Sequence, residues 1–231
     1  MKVLSTKWLD TAVCEILEHA GIELTEKNFI ITEPLSNDLL KEELASLAAT
    51  QNIVVFTSRN AVYAVTRQVK NAIEWKVCCI SGKTKKKVLK YFPAKQIIVT
   101  ADDATALAKK IIAKGITKVI FFCGDKRRDE LPATLQHAGI DVKEIVVYNT
   151  IETAEKMNEV FDAIVFFSPT AVKSFFSLNK PNKTTTFFAI GNTTATEIKK
   201  HTNSKIIIAG APTQEALAAT VIEYYKQSVK M

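Results

Sequence analysis

The sequence predicts an α/β protein built from two interleaved domains, each around a parallel sheet, joined by a two-stranded linker. Three observations carry this. Short apolar runs of strand length alternate with helical segments along the whole chain, the pattern of parallel sheets covered on both faces. Residues 54–62, Val-Val-Phe-Thr-Ser-Arg-Asn-Ala-Val, return almost position for position at 164–172, Ile-Val-Phe-Phe-Ser-Pro-Thr-Ala-Val; residues 79–84 and 106–108 return likewise at 188–193 and 216–218. This is an internal repeat. A second pair, Leu-Glu-His-Ala-Gly-Ile at 17–22 and Leu-Gln-His-Ala-Gly-Ile at 135–140, runs out of step with the first. Tandem and interleaved domains both fit that order. The link at 113–118 is so short that the units it joins should share one sheet, which favours interleaving.

In chain order, a buried strand at 3–5 leads to a helix at 11–20, where Val13, Ile16 and Leu17 recur at helical spacing and Gly21 ends the helix. A strand at 28–32 is broken by Glu33-Pro34 before a polar helix at 37–49. There follow a strand at 53–56, a helix at 60–69, a strand at 76–80, a basic helix at 83–91, a strand at 97–99 and an amphipathic helix at 104–113. The strand at 119–122 ends in Cys123-Gly124-Asp125 and opens a helix at 129–138. Residues 145–150 are rich in β-branched side chains and mirror 28–32. Paired, these two segments make the linker, with strands near 29–34 and 145–150. One domain is then 1–32 with 151–231, and the other is 35–145. Strands at 164–167, 186–190 and 206–208, with helices at 171–178, from 194 and at 213–226, complete the first domain.

Composition sets outer limits. A hydrophobic content of 47% over 231 residues suffices for buried sheets, and no run reaches membrane-span length or forms a signal peptide. Cys14, Cys78, Cys79 and Cys123 lie within apolar patterns and read as reduced core thiols of a cytoplasmic protein. A net charge of +7 fits an acidic partner, but nucleic-acid motifs are absent, and no membrane partner is expected. Three scattered histidines do not suit a metal; His19 and His137 read as residues capping helix ends. No Gly-x-Gly-x-x-Gly loop is present, and Ser81-Gly82-Lys83-Thr84 lacks the preceding glycine of a phosphate loop. No paired Asp or Glu residues are expected at strand exits, Asp125 being the only acidic candidate, so hydrolytic and glycosidase chemistry is unsupported.

What the strand exits do carry is hydroxyl and base: Thr57, Ser58 and Arg59; Lys83 and Thr84; Lys126, Arg127 and Arg128; Ser168 and Thr170; Thr193 and Thr194. Ser168 reads as an N-cap and Pro169 as the first helical residue. Gly191 turns the chain into the next helix. In a parallel sheet such corners gather at the carboxyl edge, where helix N-termini favour anions. Each hydroxyl alone is more often a helix cap, and Lys85, Lys86, Lys87 and Lys90 more often a solvated face. Together the corners suit a ligand with several carboxylates.

Five motifs in order, Phe-Thr-Ser-Arg-Asn-Ala-Val (56–62), Gly124 to Leu131 with Gly139 and Val147-Tyr148-Asn-Thr150, Phe-Phe-Ser-Pro-Thr-Ala-Val (166–172), Ala-Ile-Gly-Asn-Thr-Thr-Ala (189–195) and Pro212-Thr213-Gln-Glu-Ala-Leu217, resemble the uroporphyrinogen-III synthase family over nearly the whole chain. The resemblance implies two flavodoxin-like α/β domains joined by a two-stranded linker, the first built from both chain ends. It implies hydroxymethylbilane, a linear tetrapyrrole with eight carboxylates, as substrate. The product is uroporphyrinogen III, closed with inversion of the last ring and loss of water. No metal or organic cofactor is implied. The departing hydroxyl leaves an azafulvene, which is attacked at the substituted carbon of the far ring to give a spiro intermediate; unassisted, the bilane closes to the uninverted isomer. Tyr148 matches the family's tyrosine and is the candidate proton donor. Ser168, Thr193 and Thr194 match cleft positions. Thr57, Ser58, Lys83, Thr84, Gly124, Arg127, Arg128, Pro169, Thr170, Gly191 and Lys7 complete the candidate substrate-binding set. Two departures from the family pattern stand out: Lys7 replaces an arginine, and residues 83–87 are lysine-rich where small residues are usual. The expected state is a monomer, with the upstream bilane-forming enzyme a candidate partner. The alternative is a non-catalytic, two-domain anion-binding or regulatory module.

Overall fold

The computed structural model describes residues 1–69 and 74–229. In chain order its elements are β1 (Lys2–Ser5), α1 (Thr11–His19), β2 (Glu23–Glu26), β3 (Ile30–Pro34), α2 (Asp38–Ala48), β4 (Ile53–Phe56), α3 (Arg59–Thr66), β5 (Lys76–Ile80) and α4 (Lys83–Val88). A short 3-10 turn (Ala94–Gln96) precedes β6 (Ile97–Ala101), α5 (Ala104–Ala113), β7 (Lys118–Gly124), α6 (Glu130–His137) and β8 (Asp141–Glu152). The chain ends with β9 (Ala163–Phe166), α7 (Pro169–Leu178), β10 (Thr186–Ala189), α8 (Asn192–Lys199), β11 (Ile206–Ile208) and α9 (Gln214–Val229).

The chain divides into two compact units: unit 1 is Met1–Ile31 with Ile151–Met231, and unit 2 is Thr32–Thr150. Unit 1 holds a parallel sheet in the order β11-β10-β9-β1-β2. Unit 2 holds β8-β7-β4-β5-β6, also parallel, with β3 hydrogen-bonded along β8 at the edge. The α/β class and the interleaving are those expected from the repeats: β4 to β6 share a sheet with β7 and β8, and β9 to β11 share one with β1 and β2. β3 and β8 each run across a unit boundary, and Leu35 N–H donates to Val147 C=O at 2.9 Å.

Both faces of each sheet are buried. In unit 2 one face packs Phe56, Trp75, Phe92 and Phe122, while the other packs Val55, Leu107, Phe121 and Leu135. In unit 1 Phe29, Phe166, Phe175 and Phe187 fill one face, and Val3, Leu17, Phe188 and Val221 fill the other. Apolar runs without alternation are the signature of strands covered on both sides, which is why β4, β7, β9 and β10 were legible as strands. β2 was not. The strand expected at 28–32, with the linker near 29–34, is β3 at Ile30–Pro34, and an additional strand, Glu23–Glu26, precedes it. β2 reads Glu-Leu-Thr-Glu because it lies at a sheet edge, where a strand needs one paired side and one covered face. The basic helix is also shorter than expected, ending at Val88 rather than near 91.

Candidate functional site

In unit 2 the sheet order places the ends of β4, β7 and β8 side by side. β4 exits at Phe56, so Thr57 and Ser58 follow directly, and Ser58 becomes the N-cap of α3, its Oγ accepting from Asn60 N–H at 3.1 Å. β7 runs to Gly124. Its pairing with β8 slips between Cys123 and Gly124, so that Gly124 stands opposite Tyr148 rather than Val147. The slip turns the phenol ring directly onto the glycine. A Cβ at Gly124 would lie 2.5 Å from two of the ring carbons, closer than real contacts come. Glycine is therefore required there for close approach, not for its backbone angle.

The Tyr148 hydroxyl donates to Ser58 Oγ at 3.3 Å. Ser58 Oγ thus accepts two hydrogen bonds, and its own O–H is left to point elsewhere. Burial, the largest effect, pushes the Tyr148 hydroxyl above its ordinary 10.0, against the hydrogen bond to Ser58. The group is a neutral donor at physiological pH. Behind it, Asp125 Oδ1 accepts from Thr150 N–H at 2.7 Å and Asp125 N–H donates to the Tyr148 carbonyl at 3.1 Å, which fixes the strand around the phenol.

These residues wall a cavity of about 480 Å³ whose lining includes Thr57, Ser58, Gly124, Arg127, Arg128 and Tyr148. Arg128 is exposed and has no ionic partner among the described residues. Arg127 differs: its guanidinium is taken up by Glu144 on β8 and by Asp129, so it braces the cavity wall before it could meet a ligand. Asp102 and Asp103 also line the cavity. Paired acids at a strand exit are thus present, and the sequence reading missed them because β6 runs two residues beyond the apolar segment at 97–99. Asp103 is spent as the N-cap of α5, accepting from Ala106 N–H at 2.7 Å; Asp102 is exposed.

The other candidates divide between the two units. Lys83 opens α4 and is exposed, whereas Thr84 beside it is 8% exposed and faces the core. In unit 1, Ser168 caps α7 by accepting from Ala171 N–H at 3.1 Å, with Pro169 as first helical residue and Thr170 half-buried after it. Gly191 is the N-cap of α8 with an extended backbone. Thr193 is exposed, but Thr194 is 1% exposed, so its hydroxyl is turned inward and cannot meet a ligand in this conformation. The Lys7 ammonium lies 5.1 Å from the Phe167 ring centroid. The unit 1 candidates follow the carboxyl ends of β1, β9 and β10. His19 and His137 each place Nδ1 against the carbonyl four residues back, at 2.6 and 2.7 Å, a helix-end role. No group of three or more metal-ligating side chains occurs among the described residues, and none of their helices is long and apolar enough to cross a membrane.

Parallel sheets with hydroxyl-capped corners, and a protonated phenol in a cavity bordered by an unpaired arginine, define a two-unit α/β protein whose strand exits suit an anionic ligand. The family model described as uroporphyrinogen-III synthase HemD matches residues 12–219. The structure of uroporphyrinogen-III synthetase from Helicobacter pylori superposes with a TM-score of 0.70 at 18% identity, over 96% of this chain and 99% of that one. A mutant uroporphyrinogen III synthase from the extremely thermophilic bacterium Thermus thermophilus gives 0.64 at 14% identity, over the full length of both chains. At such identities these likenesses concern the fold. No curated protein matches the chain. The chain belongs to the uroporphyrinogen-III synthase family: it is a lyase of tetrapyrrole (haem) biosynthesis that takes a tetrapyrrole substrate.

Proposed function

We propose that the chain cyclises hydroxymethylbilane to uroporphyrinogen III with Tyr148 as the acid that assists loss of the terminal hydroxyl. The observation that carries this reading is the placement of the Tyr148 hydroxyl in the cavity wall, seated on Gly124 and hydrogen-bonded to Ser58. The bond to Ser58 is long, so the phenol re-aims at a substrate hydroxyl at little cost. Its proton leaves with that hydroxyl as water; the proton released from the bilane's terminal ring carbon on closure restores the phenol. A buried phenolate is unfavourable, so the donor acts only as the C–O bond breaks, when the oxygen becomes basic.

Arg128 and the Ser58 hydroxyl bind substrate carboxylates at this cavity, and Asp102 supplies counter-charge for the azafulvenium. Unit 1 offers a further set of anion donors at Ser168, Thr170 and Thr193. Because the bilane closes unaided to the wrong isomer, the main work is conformational: side chains hold the chain so that attack falls on the substituted carbon. We also infer a monomer that works in the cytoplasm and takes its substrate from the bilane-forming enzyme upstream. The four free cysteines, three of them buried, support a reducing compartment. The test is product analysis with freshly generated bilane, separating type I from type III isomers. Type III from wild type, and its loss in Tyr148→Phe with substrate affinity kept, is the expected result; wild-type turnover in Tyr148→Phe would end the acid role.

A further inference from the structure

The net charge of the chain lies in one unit. Unit 1 carries twelve lysines and arginines against twelve acids, whereas unit 2 carries nineteen against twelve. Within unit 2 the surplus is concentrated at residues 59–95, which hold ten basic residues and a single acid, Glu74. Five of the ten lie within α3 and α4, neighbouring helices over the same core, and Arg67 and Lys90 follow just past the helix ends.

How the cations are held matters more than their number. The Lys87 ammonium lies 5.0 Å from the Tyr63 ring centroid and 5.6 Å from that of Tyr91, and the Arg67 guanidinium lies 5.2 Å from Tyr63. Tyr63 is 40% exposed and Tyr91 48% exposed. Aromatic faces position a cation without cancelling its charge. Elsewhere lysines meet carboxylates: Lys2 pairs with Glu23 and Glu159, Lys118 with Asp141, Lys143 with Glu43 and Lys200 with Glu197. Among the described residues Arg59, Arg67, Lys86, Lys87 and Lys90 have no carboxylate partner. Both helices spring from the carboxyl edge of unit 2's sheet, at Ser58 and Gly82, and Ser58 itself lines the cavity.

We propose that the α3–α4 face is a capture surface that speeds association of the polycarboxylate substrate with the adjoining cavity. The proposal rests on the synthase reading above. It has a chemical reason: a bilane that closes spontaneously to the uninverted isomer must be intercepted quickly, and an uncompensated basic face beside a site raises the encounter rate of a polyanion without altering the chemical step.

The test uses the whole chain, with uroporphyrin, a stable fluorescent octacarboxylate, as probe in stopped flow. The variants are Lys86→Gln/Lys87→Gln/Lys90→Gln and the corresponding triple Lys→Arg change. At about 0.02 M salt the Gln variant should associate roughly tenfold more slowly than wild type, and the two should converge near about 0.5 M salt. Dissociation should stay within about twofold, and the Arg variant should match wild type. Equal association rates for wild type and the Gln variant at low salt would overturn the proposal, leaving the face to an acidic protein or nucleic acid. An Arg variant as slow as the Gln variant would also overturn it, since charge would then not be the cause. Type III formation by wild type is measured separately; its absence would sink the synthase reading, while the association rates still judge the surface.

Discussion

The two units wind five strands in the same spatial order, β11-β10-β9-β1-β2 in unit 1 and β6-β5-β4-β7-β8 in unit 2, but the chain enters them at different points. In unit 1 the β1-β2 segment comes first, and in unit 2 its counterpart β7-β8 comes last, so each is a circular permutant of the other. Even the caps correspond: Ser58 and Ser168 each accept a backbone N–H at 3.1 Å at the head of a helix. What differs is the neighbouring edge. β8 carries Tyr148 onto Gly124, whereas β2 ends at Glu26, whose Oε1 accepts from Leu9 N–H at 2.6 Å. The shared winding therefore accounts for stability and corner placement, while the tyrosine, the cavity and the basic face are features of unit 2 that its counterpart does not repeat, and they are where the proposed chemistry and capture are tested.

The largest expected effect tests whether that asymmetry is chemical. Tyr148→Phe keeps the ring on Gly124 and removes the hydroxyl proposed as proton donor, with its bond to Ser58, so kcat should fall about 10²-fold with KM nearly unchanged. Rapid-quench measurement of type III formation decides it, and an equal loss in Thr193→Ala, the exposed hydroxyl of unit 1, would erase the distinction between units. Gly124→Ala attacks the same feature from the other side. With no room for the Cβ, the phenol must leave its seat; turnover should drop with it, and stability should fall by about 1–3 kcal/mol from overpacking. Unchanged turnover would mean that the ring's seat does not set the position of its hydroxyl.

The largest shifts in titration lie in unit 2 and act at the alkaline end of the pH scale. Burial raises the thiols of Cys78 to about 12 and of Cys79 and Cys123 to about 11, all in unit 2, from an ordinary 9.0. Unfolded thiols ionise first, so the stability these groups contribute is complete below about pH 9 and is lost as pH rises through 11 to 12. In unit 1 the Glu197 carboxyl is held below its ordinary 4.5, chiefly by the hydrogen bond from Lys200. Its contribution is present above pH 4.5 and is lost as pH falls through the lowered value. Pulse proteolysis with mass spectrometry should find unit 2 peptides released first in alkali and unit 1 peptides first in acid; simultaneous release at both extremes would show that the units unfold as one.

Much of this was legible in the sequence because apolar strands covered on both faces read as unbroken runs, and because the repeat displays its own register. Ser168-Pro169 announced a helix start, and Gly21 and Gly139, at φ +76 and +79, announced helix ends. The site was legible only in part. That Tyr148 meets Gly124 depends on a one-residue slip between strands, which spacing along one strand does not reveal. Thr193 and Thr194 look equivalent as letters, yet helix geometry turns one outward and the other into the core. Arg127, in the loop after β7, looked like a ligand-binding cation because its partner Glu144 is seventeen residues away on β8. Pairing of this kind is a tertiary fact.

The smallest expected effect is also the one that isolates function from folding within a matched pair. Ser58→Ala and Ser168→Ala each remove an N-cap, and the two caps have equal lengths, so each variant should lose about 1 kcal/mol of stability in urea unfolding. Their effects on catalysis should diverge. Ser168 loses one hydroxyl while the backbone N–H groups of α7 remain, a change of about 0.5–1.5 kcal/mol in binding at most. Ser58 also accepts the Tyr148 hydroxyl, so its loss frees the phenol to rotate and removes a cavity donor at once. kcat should therefore decline in Ser58→Ala and hold in Ser168→Ala. If kcat falls equally in both, the cap serine of unit 2 has no role beyond the one its counterpart plays. If only Ser58→Ala slows the chemical step and Ser58→Thr restores it, the hydroxyl is a positioning group for Tyr148, because a cap alone would be read in stability and not in turnover.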